Sequence, residues 1–243
     1  MVCSHSEGLL GLLIINKLGG SNIKDSQKQY YAELYKRFGF SPEAVASGKQ
    51  IYKDLRYSGL AKIFGADPEF SVHDIGCGLG HFYEFLRKRF SKRVIEYSGT
   101  EIVPEFVAFC EEKYPECKFY KRDIVSGKVK GKYDYVVFGG TFYHLAGAPA
   151  AKMQEFMLKM LKKGFAMCRK GMAVNFITSY CEYFYDDLFY CSPAFILDYV
   201  VKNLSRYFTL EHNNPLYEFT LCVYKDKYLK NAFSRKEFEK YFK

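Results

Sequence analysis

The sequence predicts an α/β fold: a mostly parallel seven-stranded sheet with helices on both faces, a C-terminal antiparallel hairpin and an N-terminal helical cap. Three observations predict it. After Phe70 short apolar β-like runs alternate with helical stretches, the texture of βαβ units. The first of these runs ends in a glycine-rich turn, and the last two are separated by Asn213-Asn214-Pro215, which is turn chemistry.

From Asp25 to about Phe64 the pattern is helical: Tyr31, Leu34, Tyr35 and Phe38 recur at three and four residues, and Ser41-Pro42 reads as the start of a second helix. Ser71 to Ile75 reads as the first strand and Phe82 to Phe90 as its following helix. Tyr97 to Ile102 is a second strand, and Pro104 suits the first turn of a helix running to Lys113. Cys117 to Tyr120 is a third strand. Tyr133 to Gly139 is apolar enough for a central fourth strand, followed by a helix from about Ala148 to Lys163. Lys170-Gly171 reads as a turn into a fifth strand, Met172 to Ile177. A helix from Pro193 to Leu204 and two β-like runs, Tyr207 to His212 and Glu218 to Tyr224, complete the pattern.

This divides the chain into a cap (1–66), a core (67–225) with a lid-like insertion at about 178–192, and a charged tail (226–243). Gly19-Gly20-Ser21-Asn22 marks a soft boundary inside the first part.

At 49% hydrophobic and 26% charged, 243 residues can bury one large core, which excludes disordered and fibrous classes. Aromatic residues are in excess, 22 Tyr and 23 Phe, so some rings are expected to line a pocket. The net charge of +9 comes from 27 Lys and only 9 Arg spread along the chain, a solvated surface rather than the arginine forks of a nucleic-acid reader. Eight cysteines without a CxxC or zinc spacing read as reduced thiols of a cytoplasmic protein with no metal site. The apolar run Leu9 to Ile15 is too short to span a bilayer and lacks the flanks of a signal peptide, so neither membrane insertion nor export is expected. Nothing in the composition sets an oligomeric state.

The chemistry concentrates in Asp74-Ile75-Gly76-Cys77-Gly78-Leu79-Gly80, a strand end, three alternate glycines and a following helix. Glycine there permits a tight turn and close approach of a ligand to bare backbone, and the helix start offers unpaired N–H groups. The next strand ends in Glu101, about 20 residues past the loop, where a carboxylate can accept from ribose hydroxyls. The third strand runs into Asp123, placed for an adenine amine. Position 81 is His, so the loop is not the G-x-G-x-x-G of a pyrophosphate-binding dinucleotide site, and hydride transfer recedes.

Across roughly Ser71 to Lys225 the sequence resembles the class I S-adenosylmethionine-dependent methyltransferases, whose Rossmann-like core carries a first motif of the form D-x-G-x-G-x-G, here Asp74 to Gly80. The resemblance implies S-adenosylmethionine as methyl donor and S-adenosylhomocysteine as product. It implies that Asp74, Gly76, Cys77, Gly78 and Gly80 form the loop under the methionine part, with Glu101 on the ribose and Ile102 on the adenine face. Asp123 and Ile124 would meet the adenine edge, and Phe138 and Gly139 would border the methionine end.

After the fourth strand the chain reads Gly139-Gly140-Thr141-Phe142-Tyr143-His144, without the N/D-P-P-Y signature of adenine methylation. His144 and Tyr143, just past a strand end, are candidate catalytic residues for an acceptor that must lose a proton. His144 also reads as a pocket-lining or helix-capping residue. Tyr180 to Asp187 reads either as a lid over a small polar or aromatic acceptor or as an aromatic face with an acidic edge. From the cap, Tyr30, Tyr31 and Tyr35 can close the site or simply pack, Tyr31 being best placed for the donor's carboxylate. His73 reads as a core residue and His212 as a structural one.

The expected activity is methyl transfer to oxygen or nitrogen of a small-molecule acceptor. An RNA or protein methyltransferase, and a donor-binding enzyme catalysing cyclisation or elimination, remain the alternatives.

Overall fold

The computed structural model describes residues 22–45, 48–127 and 131–242. The apolar run Leu9 to Ile15 and the boundary at Gly19-Gly20-Ser21 lie outside the described residues.

Helix α1 (Ile23–Phe38) opens on Asn22, whose side chain accepts from the backbone N–H of Lys24. A single 3-10 turn (Pro42–Val45) follows, and helix α2 spans Gln50–Ala61. The second helix therefore starts later than Ser41-Pro42 suggested: Gly48 lies between turn and helix, and glycine disfavours a helix interior. The sheet comprises β1 (Glu69–Ile75), β2 (Val94–Glu101), β3 (Lys118–Lys121), β4 (Tyr133–Phe138), β5 (Cys168–Thr178), β6 (Tyr190–Cys191), β7 (Phe208–Glu211) and β8 (Glu218–Tyr224). Helices α3 (His81–Arg89), α4 (Pro104–Lys113), α5 (Ala150–Met167) and α6 (Pro193–Asn203) connect the strands.

The strand order is β3-β2-β1-β4-β5-β8-β7, with the two-residue β6 paired beside β5. β1 through β5 pair in parallel, whereas β8 is antiparallel to both β5 and β7, giving the seven-strand path with its terminal hairpin. The chain moves outward from β1 to β3 and then returns to place β4 on the other side of β1. That reversal opens a crevice at the carboxyl ends of β1 and β4, where α/β sheets bind ligands.

Lys170-Gly171 is not a turn; both lie inside β5, which Gly171 continues by pairing with Tyr224 of β8 and Tyr135 of β4. Neighbours on both edges outweigh the local turn preference, and the irregularity appears instead as a register shift between Tyr133 and Tyr135. The charged tail is also partly helical, with α7 (Asp226–Ala232) and a 3-10 segment (Lys236–Tyr241) that bury no residue.

Strand alternation divides the core between the two faces. On one, Phe138, Val174 and Leu221 pack with Met153, Met157 and Leu161 of α5 and Ile196 of α6. On the other, Val137, Ala173 and Cys222 meet Tyr57 and Leu60 of α2, Leu86 of α3 and Cys110 of α4. Much of the aromatic excess goes into this core, as in the stacked Phe64–Phe70 pair at 4.3 Å. Among the described residues no helix is long and apolar enough to cross a membrane.

α5 approaches β4 closely at Gly164, where an added Cβ would stand 2.7 Å from Phe138 Cζ, an atom of a fully buried ring. Gly164→Val is therefore expected to destabilise the protein by ~1–3 kcal/mol through overpacking, read from urea midpoints; an unchanged midpoint would contradict this packing.

Candidate functional site

The crevice is floored by the glycine loop. Gly76, Gly78 and Gly80 have φ of 77°, 53° and 76°, a region that favours glycine. Gly76 and Cys77 both donate their backbone N–H to Thr100 O, at 2.8 and 3.2 Å, which ties the loop to the end of β2. Thr141 Oγ1 donates to Ile75 O at 2.9 Å and closes over Gly76, where an added Cβ would meet Thr141 Cγ2 at 2.8 Å. Gly80 instead caps α3, and a Cβ there would strike the Tyr114 ring at 2.6 Å, so its task is the turn itself.

Two buried acids underlie the loop. Asp74 accepts from Tyr97 Oη at 2.7 Å, while its Oδ1 has no partner among the described residues. Burial pushes its carboxyl up to about 7, against the Tyr97 hydrogen bond and assisted by Glu101. Glu101 accepts from the backbone N–H of Ile102 (2.5 Å), Val103 (3.1 Å) and Gly78 (3.1 Å). Its carboxyl is raised by burial, with those three N–H groups acting to lower it. Asp123 caps its own turn, accepting from Val125 N at 2.8 Å and Ser126 Oγ at 2.7 Å, with Lys24 Nζ of α1 at 3.8 Å.

Ile75 through Leu79, Glu101, Ile102, Asp123, Ile124 and Gly139 through Thr141 line one cavity. Tyr31 reaches it from α1, its hydroxyl raised by burial and then by Tyr30 and Glu101. The expected set is thus brought together except at three positions. Asp74 and Gly80 support the loop without lining the cavity, and Phe138 points the other way. Phe138 is fully buried on the α5 face, stacked on Phe142 at 5.3 Å, because strand alternation sends it opposite to Val137.

At the far end stands a polar cluster that sequence reasoning missed. Arg56 of α2 donates through Nε to Tyr143 Oη (2.9 Å) and Glu218 Oε2 (2.9 Å), and through Nη2 to Glu218 Oε1 (2.6 Å). Tyr143 Oη donates to Glu218, Asn175 Nδ2 donates to Tyr143 Oη at 2.5 Å, and Gly140 N donates to Asn175 Oδ1 at 2.8 Å. Burial raises the Tyr143 hydroxyl well above its ordinary value, and Glu218 beside it acts the same way. The only local signals were a polar Asn175 in an apolar strand and an acid opening β8. Nothing in the sequence pairs Arg56 with a residue 162 positions away.

His144, also lining the cavity, is stacked on Tyr30 at 5.5 Å between rings and has Asp187 Oδ2 3.8 Å from its Nδ1. Burial lowers its pKa; Asp187 opposes that and Arg56 adds to it. Gln27 of α1 donates to His144 O at 2.5 Å, so cap and cavity wall are fastened together.

These residues fit the donor that the resemblance implies. A loop whose Gly76 and Gly78 positions a Cβ would fill leaves backbone open to a ligand, an acid faces it from the next strand, and a buried carboxylate oxygen beneath it lacks a partner.

Known proteins resemble this chain in sequence and in fold. A family described as a methyltransferase domain matches residues 73–164. A protein of Mycobacterium tuberculosis (strain ATCC 25618 / H37Rv) named as a methyltransferase is 30% identical over 162 residues, 66% of this chain and 95% of that protein. Magnesium protoporphyrin IX methyltransferase of Synechocystis PCC 6803, solved with S-adenosylmethionine, has a TM-score of 0.60 at 15% identity, covering 86% of this chain and all (100%) of that one. Human N-acetylserotonin methyltransferase, solved with the same ligand, has a TM-score of 0.57 at 12% identity, covering 90% and 66%. At such identities the likeness of the solved structures is one of fold.

His73, expected in the core, is buried between Ser98 Oγ (2.7 Å) and Thr100 Oγ1 (2.8 Å), with Arg122 Nη2 3.2 Å away. Burial, and then Arg122, push its pKa down to about 3. From about 6.5 down to that value the unfolded chain binds a proton that the folded one refuses, so His73 makes stability fall as pH falls. Asp74, raised, acts in the opposite sense below about 7, which is why the difference between proteins is the informative quantity. Between pH 6.5 and 5 the wild type should lose up to ~2 kcal/mol more stability than His73→Gln in urea melts, about 1.4 kcal/mol per pH unit. Parallel pH dependences would contradict it.

Proposed function

The chain belongs to the class I S-adenosylmethionine-dependent methyltransferases, and we propose that it transfers the methyl group to an oxygen or nitrogen of a small-molecule acceptor. The observation that carries this reading is the enclosure of the cavity by the cap. Helices α1 and α2 bring Gln27, Tyr31, Arg56 and Tyr57 into the wall that also contains the glycine loop, Gly139 to Thr141, Tyr143 and His144. A roofed pocket lined by rings and a few convergent polar groups suits a small ligand.

In this reading Glu101 holds the ribose hydroxyls, exchanging its contact with Gly78 for them. Ile102 and Ile124 enclose the adenine, and Asp123 faces its amine. The Gly76–Gly78 backbone and Gly139 border the methionine part, and Tyr31 reaches its carboxylate. When bound, S-adenosylmethionine supplies a methyl group on a sulfonium sulfur, open to in-line displacement. The protein's task is then largely to hold acceptor and methyl close and aligned. Tyr143 is ill suited to proton transfer, because its hydroxyl is already engaged by Arg56, Asn175 and Glu218. The role of base falls to His144, whose lowered pKa keeps it neutral and able to accept a proton at pH 7.

Two outcomes test this. In calorimetric titrations Glu101→Ala is expected to bind S-adenosylmethionine and S-adenosylhomocysteine roughly 10–100-fold more weakly, the worth of hydrogen bonds to a charged group; unchanged affinity would overturn the site assignment. In turnover with a panel of small hydroxyl and amine compounds the nucleoside product should be S-adenosylhomocysteine. Methylthioadenosine in its place, or turnover confined to RNA or protein, would overturn the activity.

A further inference from the structure

The backbone of the segment between β5 and β6 is paired with the chain at His144, which lines the cavity. Leu145 N donates to Asp187 O at 2.8 Å and Phe189 N to Tyr143 O at 2.8 Å, and His144 forms an antiparallel bridge with Leu188. These pairings fix Asp187 beside the histidine: its side chain is 16% exposed, that of His144 9%, and Oδ2 lies 3.8 Å from Nδ1. Tyr30 Oη lies 3.5 Å from the same nitrogen and stacks its ring on the imidazole. The Asp187 carboxylate can only accept from Nδ1, whereas Tyr30 Oη can accept or donate, so it is Asp187 that favours the tautomer carrying its proton there. Nε2 makes no hydrogen bond among the described residues and is not a buried orphan, while the residue lines the cavity.

From this geometry we infer that Asp187 is a positioning residue that holds His144 with Nδ1 protonated and Nε2 turned to the cleft as proton acceptor, and that the methyl acceptor is therefore a hydroxyl, best an aromatic one. The inference rests on the methyltransferase reading and narrows it. A neutral amine already offers a lone pair and can shed its proton after transfer. A hydroxyl is a weak nucleophile until its proton leaves, and a phenol, with a pKa near 10, yields that proton far more readily than an alcohol. The O–H proton passes to Nε2 and the oxygen pair forms the new O–CH3 bond. The pair of the broken S–CH3 bond stays on the donor's sulfur, and the imidazolium, steadied by Asp187, returns its proton to solvent. The charged and titratable groups acting on His144 are Tyr30 from α1, Arg56 from α2 and Asp187 from the β5–β6 segment. Asp187 is the one that favours the imidazolium. The 3.8 Å separation is longer than a hydrogen bond, as catalytic contacts often are before the ligands bind.

The test is NMR of the His144 ring, assigned with His144→Gln, in wild type and Asp187→Asn, with S-adenosylhomocysteine binding measured on each. The wild type should show Nδ1–H and a free Nε2, and Asp187→Asn should lose that tautomer preference and lower the ring's titration midpoint by about one pH unit. S-adenosylhomocysteine affinity should stay within about twofold, since Asp187 does not line the cavity and, among the described residues, no hydrogen bond or ion pair joins it to a donor-binding residue. Nε2–H in the wild type, or an identical ring in both proteins, would overturn the pair while leaving the methyltransferase reading intact. A wild type that fails to bind S-adenosylhomocysteine would instead overturn that reading. Methylation of anilines in preference to the matching phenols would overturn the hydroxyl assignment.

Discussion

The reversal of strand order between β1 and β4 is the constraint on which the site depends. Where the two strands part, the chain must leave β1, turn, and start α3 within a few residues, and it must do so beneath Thr141 and against the end of β2. A side chain at Gly76 has no room there. The same lack of side chains that lets the turn close leaves backbone facing the crevice, so one steric requirement creates both this turn and the ligand floor.

Burying acids beside that turn is costly, and the structure answers the cost differently at each. Glu101 is met by three backbone N–H groups, so its charge is supported even as burial works against it. Asp74 has one hydroxyl and an unpartnered oxygen, and burial raises it to about 7. At the opposite end of the cavity Arg56 and Glu218 neutralise each other, with Tyr143 and Asn175 closing the network. Removing either Arg56 or Glu218 would strand a buried charge, so the pair fixes how α2 sits against β8 and thereby the shape of the roof.

Much of this was legible in the sequence, for identifiable reasons. Apolar runs of strand length, Pro104 at a helix start and Asn213-Asn214-Pro215 between two β-like runs are local signals, and each element stands where its signal lies. The glycine loop and the acid at the end of β2 were legible because spacing alone places them at one sheet edge. What failed depended on neighbours. Lys170-Gly171 looked like a turn until β4 and β8 paired on either side. The family resemblance implies Phe138 at the methionine end of the cavity, but strand alternation turns it to the far face. The Arg56–Glu218 pair joins the cap to the last strand, a meeting created by topology and invisible in any local window.

The central claim is that the glycine loop and Glu101 together form the donor site. A crystal structure with S-adenosylhomocysteine tests it most directly. The account predicts the ribose hydroxyls within ~3 Å of the Glu101 carboxylate and the homocysteine chain over Gly76 to Gly78. A ligand bound elsewhere, or bound in the crevice with Glu101 still turned to Gly78, would contradict it.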